Sequence, residues 1–322
     1  MSKVSFSGRK IVALLVIQSL VIVPCIIQIH YDSPSSSCTI FSISQDDMVL
    51  FCNNEDEGLR HGRVLFSPGT AETFGLVLFG YAIYRNGFVP VGALNDEGLC
   101  FDMTMVEETD ILLDPERPDY EGSYFLDMLR VCATVEEAKQ WIRSYDVLLL
   151  HWQQAHIADR LGDAVAIGLD EDGNLHMTNK TEDYLVTTNF NLAQDDGSHT
   201  TSGRYATTTS MLEEMNELSI AYCEDVLNDV SMSITMYSYI ADLQNNQLYL
   251  YSRGDFSRVA HLNVTEELAA GEHSYDIERL VSQQNVDDLS EDSLMDIIGV
   301  IVGCSIIACI FLLVIVRTRR GK

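Results

Sequence analysis

The residues best suited to chemistry lie near position 38, where Cys38 follows a run of small residues and Asp56 comes shortly afterwards. Cleavage after Ser37 would leave Cys38 as an N-terminal residue with both a free thiol and a free α-amine. An α-amine has an ordinary pKa of ~8 and a thiol of ~8.5, so the amine can accept the thiol proton near neutral pH. The sequence therefore predicts a cysteine nucleophile whose base is its own α-amine. An ordinary buried thiol is the alternative.

Two β-patterned runs must position this pair of residues. Residues 39–43 and 48–51 alternate in the manner of strands, and the polar stretch 44–47 between them is typical of a turn. A hairpin of this kind would return Asp56 towards Cys38. The carboxylate of Asp56 could then hold the ammonium group.

This arrangement resembles the choloylglycine hydrolase and penicillin V acylase family of N-terminal-nucleophile (Ntn) cysteine hydrolases, which cleave linear amide C–N bonds. The order and spacing of the motifs carry the resemblance, which covers most of the chain between its two apolar ends. The matching segments are Cys38-Thr39, Asn53-Asn54-Glu55-Asp56, Leu94-Asn95-Asp96-Glu97-Gly98-Leu99-Cys100, Val186-Thr187-Thr188-Asn189-Phe190 and Ser202-Gly203-Arg204-Tyr205.

The resemblance also implies roles for four catalytic residues. Cys38 would be the nucleophile and Asp56 would contact its amine. Asn189 would donate its side-chain amide to the oxyanion, and Arg204 would lie near the nucleophile. The residues themselves leave plainer alternatives open, because Asn189 could satisfy backbone groups at the end of a strand and Arg204 could be a surface arginine.

Two asparagines are expected to support the site, and one of them departs from the family pattern. Related enzymes commonly have an arginine where Asn53 stands, and Asn53 can donate hydrogen bonds but carries no charge. Asn54 follows it in the same motif. The family also has a second oxyanion donor near residues 102–104. This sequence has no asparagine there, so a backbone N–H would have to serve.

The pattern of strands and helices predicts an α+β fold, and the resemblance specifies a four-layer αββα sandwich. Residues 38–289 would form this catalytic domain. One long helix is expected over residues 205–223, with apolar side chains on one face. The acidic stretch 107–122 is expected to be a loop, either lining a pocket or solvated.

The two ends of the chain predict targeting to a membrane. Residues 1–37 have the basic start and apolar run of a signal peptide or signal anchor, with a short pro-segment. Residues 290–296 would be an acidic spacer and residues 297–316 a transmembrane helix. The basic tail 317–322 would stay in the cytoplasm, which places the central domain outside. The glycosylation sequons at Asn179 and Asn263 are meaningful only on that side.

Composition excludes some classes of function. The formal charge of −28 argues against nucleic-acid binding, because little positive charge is available to neutralise phosphates. No cofactor is expected, and the spacing of His151 and His156 does not favour a metal site. The odd number of cysteines outside the apolar ends fits one free thiol at Cys38, with the others either buried or paired.

The sequence therefore predicts a membrane-anchored, extracytoplasmic hydrolase of linear N-acyl amides. Its partners would be a small-molecule N-acyl amide and, through the C-terminal helix, the membrane. An acyltransferase of the same fold and a non-catalytic binding protein on a decayed hydrolase fold are the alternatives. The sequence does not determine the particular amide, the disulfide pairing or the oligomeric state.

Overall fold

The computed structural model describes residues 38–58, 60–83, 87–114, 117–118, 120, 122–198 and 203–287. The predicted leader, spacer, transmembrane helix and tail all lie outside these residues. Within the described ranges, no helix is both long and apolar enough to cross a membrane.

The strands and helices follow one another in an α+β order, as predicted. In chain order the strands are β1 (Thr39–Gln45), β2 (Met48–Glu55), β3 (Gly62–Ser67), β4 (Leu76–Ile83), β5 (Gly87–Asn95), β6 (Cys100–Met105), β7 (Gln153–Ala158), β8 (Ala164–Leu169), β9 (Leu175–Asn179), β10 (Tyr184–Thr187), β11 (Tyr237–Asp242), β12 (Gln247–Ser252), β13 (Asp255–Asn263) and β14 (His273–Asp276). The helices are α1 (Tyr124–Leu129), α2 (Val135–Arg143), α3 (Gly203–Glu214), α4 (Ile220–Asp229), α5 (Val264–Ala269) and α6 (Ile277–Asp287).

The described strands form two antiparallel sheets. The first sheet has the order β10-β1-β2-β11-β12-β13, and the second has the order β14-β3-β4-β5-β6-β7-β8-β9. The predicted hairpin of β1 and β2 is confirmed, with Thr39 opposite Asn54 and Gln45 opposite Met48. Its turn contains Asp46 with a φ of 53°, a left-handed conformation that aspartate tolerates better than most residues.

Three apolar clusters show how the layers are arranged. Side chains from the facing sides of both sheets, such as Phe51 and Phe79, share one core. The outer side of the second sheet packs against α1 and α2, and the outer side of the first sheet packs against α3 and α4. Because each sheet buries both faces, the chain forms the four layers helix, sheet, sheet, helix.

The prediction of a single helix over residues 205–223 is wrong. The structure has two helices, α3 and α4, separated by residues 215–219. Ser219 ends the break because its side chain accepts a hydrogen bond from the backbone N–H of Tyr222 and caps α4. Serine is a favoured residue at the N-cap of a helix, and the spacing of apolar residues alone does not show where a helix is capped.

A buried histidine ties the two sheets together. His156 on β7 contacts the hydroxyl oxygens of Ser42 on β1, at 2.8 Å from Nε2, and of Thr187 on β10, at 3.1 Å from Nδ1. Burial lowers the pKa of His156 to about 3. The imidazole is therefore neutral at physiological pH, with one nitrogen donating and the other accepting.

We expect His156 to make the domain sensitive to acid. Its folded-state pKa is depressed, so its contribution to stability is present above its ordinary pKa and is lost as pH falls towards about 3. The loss should reach about 3–5 kcal/mol by the bottom of that range. A His156→Gln variant keeps a donor and an acceptor but cannot titrate. Urea denaturation between neutral and acidic pH should give a shallower decline for the variant, and parallel declines would contradict this role.

Candidate active site

The thiol of Cys38 is buried immediately before β1, with 2% of the residue exposed. The register of the hairpin brings the end of β2 beside it, and the backbone N–H of Asp56 donates a hydrogen bond to the thiol. The predicted return of Asp56 towards Cys38 is therefore confirmed. A backbone donor at this position favours the thiolate over the thiol.

The carboxylate of Asp56 is held from two sides. Thr235 donates its hydroxyl to Oδ1 at 2.5 Å, and Nη1 of Arg204 lies 3.5 Å from Oδ2. Burial raises the pKa of Asp56 to about 6, against the opposing effects of Thr235 and Arg204. At neutral pH the carboxylate is thus mainly ionised, although its environment favours the acid form more than water does.

Arg204 connects the remaining parts of the site. It lies in the first turn of α3, where Nη1 donates to the hydroxyl of Thr39 at 2.5 Å and Nη2 donates to Oδ1 of Asn189 at 2.8 Å. The rigid fork of a guanidinium suits such a role, because its donors point in set directions. One side chain therefore joins Asp56, Asn189 and the start of β1, and the four predicted catalytic residues come together.

The side-chain amide of Asn189 has a defined orientation. Asn189 follows β10, its oxygen faces Arg204, and its Nδ2 donates to the backbone oxygen of Met105 at 2.9 Å. The amide group therefore lies between the first sheet and the end of β6. The backbone N–H of Met103, one of the expected second donors, donates instead to Oδ1 of Asp102 at 2.7 Å.

The two supporting asparagines lie on opposite faces of β2. Nδ2 of Asn53 points between the sheets and donates to Oδ2 of Asp102 at 2.8 Å. Asn54 faces the helical layer, where it donates to the backbone oxygen of Leu227 at 2.8 Å and accepts from the hydroxyl of Ser238 at 2.5 Å. Successive strand residues point to opposite sides, so only Asn53 lies in the polar cluster between the sheets.

Three further polar residues at the site were missed by sequence reasoning. Glu55 and Asp102 are fully buried beside the Asn53 amide, and Tyr239 on β11 donates its hydroxyl to Oδ2 of Asp102 at 2.8 Å. A signal existed for Asp102, because an ionisable residue in the middle of an apolar strand is rare unless it has partners. Gly92 on β5 leaves room for it, since a Cβ there would lie 2.4 Å from Asp102 Oδ2.

The thiol of Cys38 is in an environment that opposes ionisation. Burial raises its pKa well above the ordinary value, and the neighbouring carboxylate of Glu55 raises it further. A thiol in these surroundings needs a base close by before it can act as a nucleophile. Cys38, Cys52, Cys100, Cys132 and Cys223 are free and buried in the structure, so these thiols are unpaired.

A cavity of about 510 Å³, within the usual range for small-molecule sites, lies along the second sheet and α1, and the four predicted catalytic residues are not in its lining. Glu57, the residue after Asp56, lines it, and so does Met105, whose backbone oxygen holds Asn189. The predicted pocket loop contributes Tyr120 and Gly122. The rest of the lining is mainly apolar and aromatic and includes Tyr81, Phe101, Met103, Tyr124, Leu148 and Trp152.

Metal ligands are not grouped at this site. Across the described part of the chain, no three or more His, Cys, Asp or Glu side chains are arranged to hold a metal ion. His151 contacts the backbone oxygen of Thr109 and the carboxylate of Glu108, while His156 lies between the sheets.

The two packed antiparallel sheets, covered on both sides by helices and with Cys38 just before the first strand, form a fold similar to that of a conjugated bile acid hydrolase and a penicillin V acylase. The predicted resemblance to these enzymes is confirmed as a likeness of fold. No family model and no curated protein sequence matches the chain.

Two solved structures illustrate the likeness of fold. The chain is similar to a variant of conjugated bile acid hydrolase from Clostridium perfringens, with a TM-score of 0.58 and 13% identity over 74% of this chain and 96% of that chain. It is also similar to penicillin V acylase from Agrobacterium tumefaciens, with a TM-score of 0.57 and 15% identity over 74% of this chain and 91% of that chain.

We expect Asp56 to lower the stability of the domain at neutral pH. Its folded-state pKa of about 6 lies above the ordinary value of ~3.9. The stability associated with this group is therefore present below about pH 4 and is lost as pH rises through about 6. Asp56→Asn should raise the free energy of unfolding at pH ~7 by about 1–3 kcal/mol, even though Arg204 loses a partner.

Urea denaturation of both proteins at neutral and acidic pH checks this expectation. The difference in stability between them should become small at about pH 4 and approach zero below about pH 3, where Asp56 is protonated in the folded and unfolded states alike. A variant that is less stable than the wild type at neutral pH would show that the ion pair with Arg204 outweighs the burial of the charge.

Proposed function

We propose that the protein is an amide hydrolase in which Cys38, freed as the N-terminal residue, is the nucleophile. The observation that carries this proposal is the junction at the end of the hairpin. There the backbone N–H of Asp56 donates to the thiol, and Arg204 links the carboxylate of Asp56 to the amide of Asn189. The candidate nucleophile, the carboxylate proposed to orient it and a candidate amide donor therefore lie within one small cluster, which supports the proposal.

The cluster supports a two-step mechanism. The α-amine of Cys38 takes the thiol proton, and the thiolate attacks the amide carbonyl. The developing oxyanion would be stabilised by hydrogen-bond donors, for which Asn189 is the candidate. The ammonium then gives its proton to the departing amine, and water releases the acid from the thioester. Asp56 would hold the amine beside the sulfur throughout, and Arg204 would hold Asp56 and Asn189 in position.

The apolar cavity supports an N-acyl amide as the substrate. Its walls offer aromatic and aliphatic surface, while the acidic side chains of Glu57 and Asp146 are the charged groups in its lining among the residues that the structure describes. Burying an apolar acyl group there removes nonpolar surface from water, which is favourable in proportion to its area. Glu57, next to Asp56 in the chain, and Met105, whose backbone oxygen binds Asn189, mark the end of the cavity at which the scissile amide would lie.

Replacing Cys38 tests the nucleophile directly. Cys38→Ala should lower the rate of amide hydrolysis by about a thousandfold or more without unfolding the domain, since it removes the group that forms the thioester. Cys132→Ala, at another buried thiol, is the matched control and should retain activity. Mass spectrometry of active wild-type protein should find Cys38 as the N-terminus.

Two results would contradict this mechanism: full activity in Cys38→Ala, or an intact bond between residues 37 and 38 in active protein. The same assay separates hydrolysis from acyl transfer. Hydrolysis predicts that the free acid accumulates at the same rate when a second amine is added, whereas a transferase would attach the acyl group to that amine.

We further propose that the domain works outside the cytoplasm and is anchored by the C-terminal segment. The apolar run 297–316 and the basic residues after it support this orientation, as does the basic, apolar leader. Deletion of residues 297–322 with the leader retained should release active protein into the medium. Protease added to intact cells should degrade the domain of the anchored form, and protection of the domain with loss of the tail would contradict the orientation.

A further inference from the structure

Two buried carboxyl groups that the proposed mechanism does not use lie near Cys38. Glu55 comes from β2 in the first sheet and Asp102 from β6 in the second sheet, with 2% and 0% exposed. One side-chain amide joins them, because Nδ2 of Asn53 lies 2.8 Å from Oδ2 of Asp102 and 3.4 Å from Oε2 of Glu55. The two carboxyl groups are therefore bridged by the neutral side-chain amide of Asn53.

The surroundings of the pair are mainly acidic or neutral. Among the described residues, the titratable groups that face it are Cys38, Asp56, Glu57, Tyr81, Cys100, Tyr237 and Tyr239. The arginine of the site, Arg204, forms its ion pair with Asp56 and not with Glu55 or Asp102. Burial raises the pKa values of Tyr237 and Tyr239 well above their ordinary value, so these two phenols are neutral.

Two buried carboxylates in such a place disfavour being ionised together. Each charge has lost its hydration, and each repels the other across one amide group. Burial raises the pKa of Glu55, and the charge of Asp102 raises it further. Asp102 has better donors, since Tyr239 and the backbone N–H of Met103 also point at it. Of the two, Asp102 is better suited to carry the charge and Glu55 to carry the proton.

We propose that Glu55 and Asp102, joined through Asn53, share one proton and so determine the charge that faces the sulfur of Cys38. With the proton present, the pair carries one negative charge and the thiolate can form beside it. Once the proton leaves for solvent, two negative charges face the sulfur and oppose its ionisation. Glu55 and Asp102 are thus positioning residues that act on the nucleophile through their field.

Asparagine at position 53 leaves the pair without a positive charge between its two acids. An arginine there would place a fixed positive charge between the two acids, and both could then ionise. Asn53 satisfies hydrogen bonds without adding charge, so the pair retains its proton. The inference deepens the proposed function and rests on Cys38 being the nucleophile.

The test measures the ionisation of Cys38 and needs no substrate. Iodoacetamide reacts with the thiolate, so its rate of attachment to Cys38, followed by peptide mass spectrometry, reports the thiolate fraction at each pH. Wild-type protein is compared with Glu55→Gln and Asp102→Asn from about pH 5 to about pH 10, a range that spans the ordinary thiol pKa. Asp242→Asn is the control, because Asp242 is a buried turn carboxyl at the other end of β11.

A shared proton gives a characteristic pH dependence. The ratio of the Glu55→Gln rate to the wild-type rate should stay near one while the wild-type pair holds its proton. It should climb towards about tenfold, equivalent to a pKa difference of ~1 unit, as that proton is lost. Asp102→Asn should show the same trend, and Asp242→Asn should give a ratio near one throughout.

Other outcomes would overturn the proposal. A ratio above one that does not change with pH would show two permanently charged carboxylates, and a ratio near one at every pH would show that the pair does not act on Cys38. Infrared spectroscopy of the wild-type protein needs no variant, so it tests the shared proton even if the variants do not fold. It should detect a protonated buried carboxyl at neutral pH, and its absence would contradict the shared proton.

The thiol measurement and the hydrolysis assay can contradict the carboxyl-pair proposal and the proposed function separately. If Cys38→Ala retained amide hydrolysis, the proposed function would be wrong even though the alkylation profiles could still show the shared proton. If Cys38→Ala were inactive and the alkylation ratios stayed flat, the nucleophile would stand and the carboxyl pair would have no part in its ionisation.

Discussion

The pairing of β2 with β1 on one side and β11 on the other is the constraint on which the rest of the site depends. The ladder with β1 runs from Thr39 opposite Asn54 to Gln45 opposite Met48, and the ladder with β11 places Tyr237 opposite Glu55. Because side chains alternate along a strand, this register sends Asn53 and Glu55 between the sheets. A slip of one residue would send them into the helical layer and remove the polar cluster.

Burial makes the electrostatics of this cluster strong. Phe51 and Phe79 flank the ring of Tyr239 in stacked arrangements, so apolar surface lies directly beside the polar groups. In such surroundings a charge interacts over a few ångströms far more strongly than it does in water. Asp56 is compensated by an arginine, whereas Glu55 and Asp102 rely on neutral donors. The same site therefore combines one conventional ion pair with two acids that compete for a proton.

The two sheets contribute different parts of the site. The first sheet and its helix α3 carry Cys38, Asp56 and Arg204, while the second sheet and α1 form most of the cavity wall. Asp102 and Met105 on β6 connect the second sheet to the site, since Asp102 accepts a hydrogen bond from Asn53 and the backbone oxygen of Met105 accepts one from Asn189. The groups proposed for chemistry can thus stay constant while the cavity lining changes, which suits a fold that also occurs in a conjugated bile acid hydrolase and a penicillin V acylase.

The sequence by itself determined what depends on neighbours along the chain. The hairpin of β1 and β2 follows from alternation and a polar turn, and the resemblance in motif order predicted Cys38, Asp56, Asn189 and Arg204 as site residues. Only the tertiary structure decided that Asn53 faces Asp102 while Asn54 faces the helical layer. Local periodicity shows that a strand has two faces, but which face meets which partner depends on the packing of segments far apart in the chain. The proximity of Glu55 to Asp102 was decided by such contacts, whereas the capping by Ser219 that divides the predicted helix is a local contact with Tyr222 that the apolar spacing did not show.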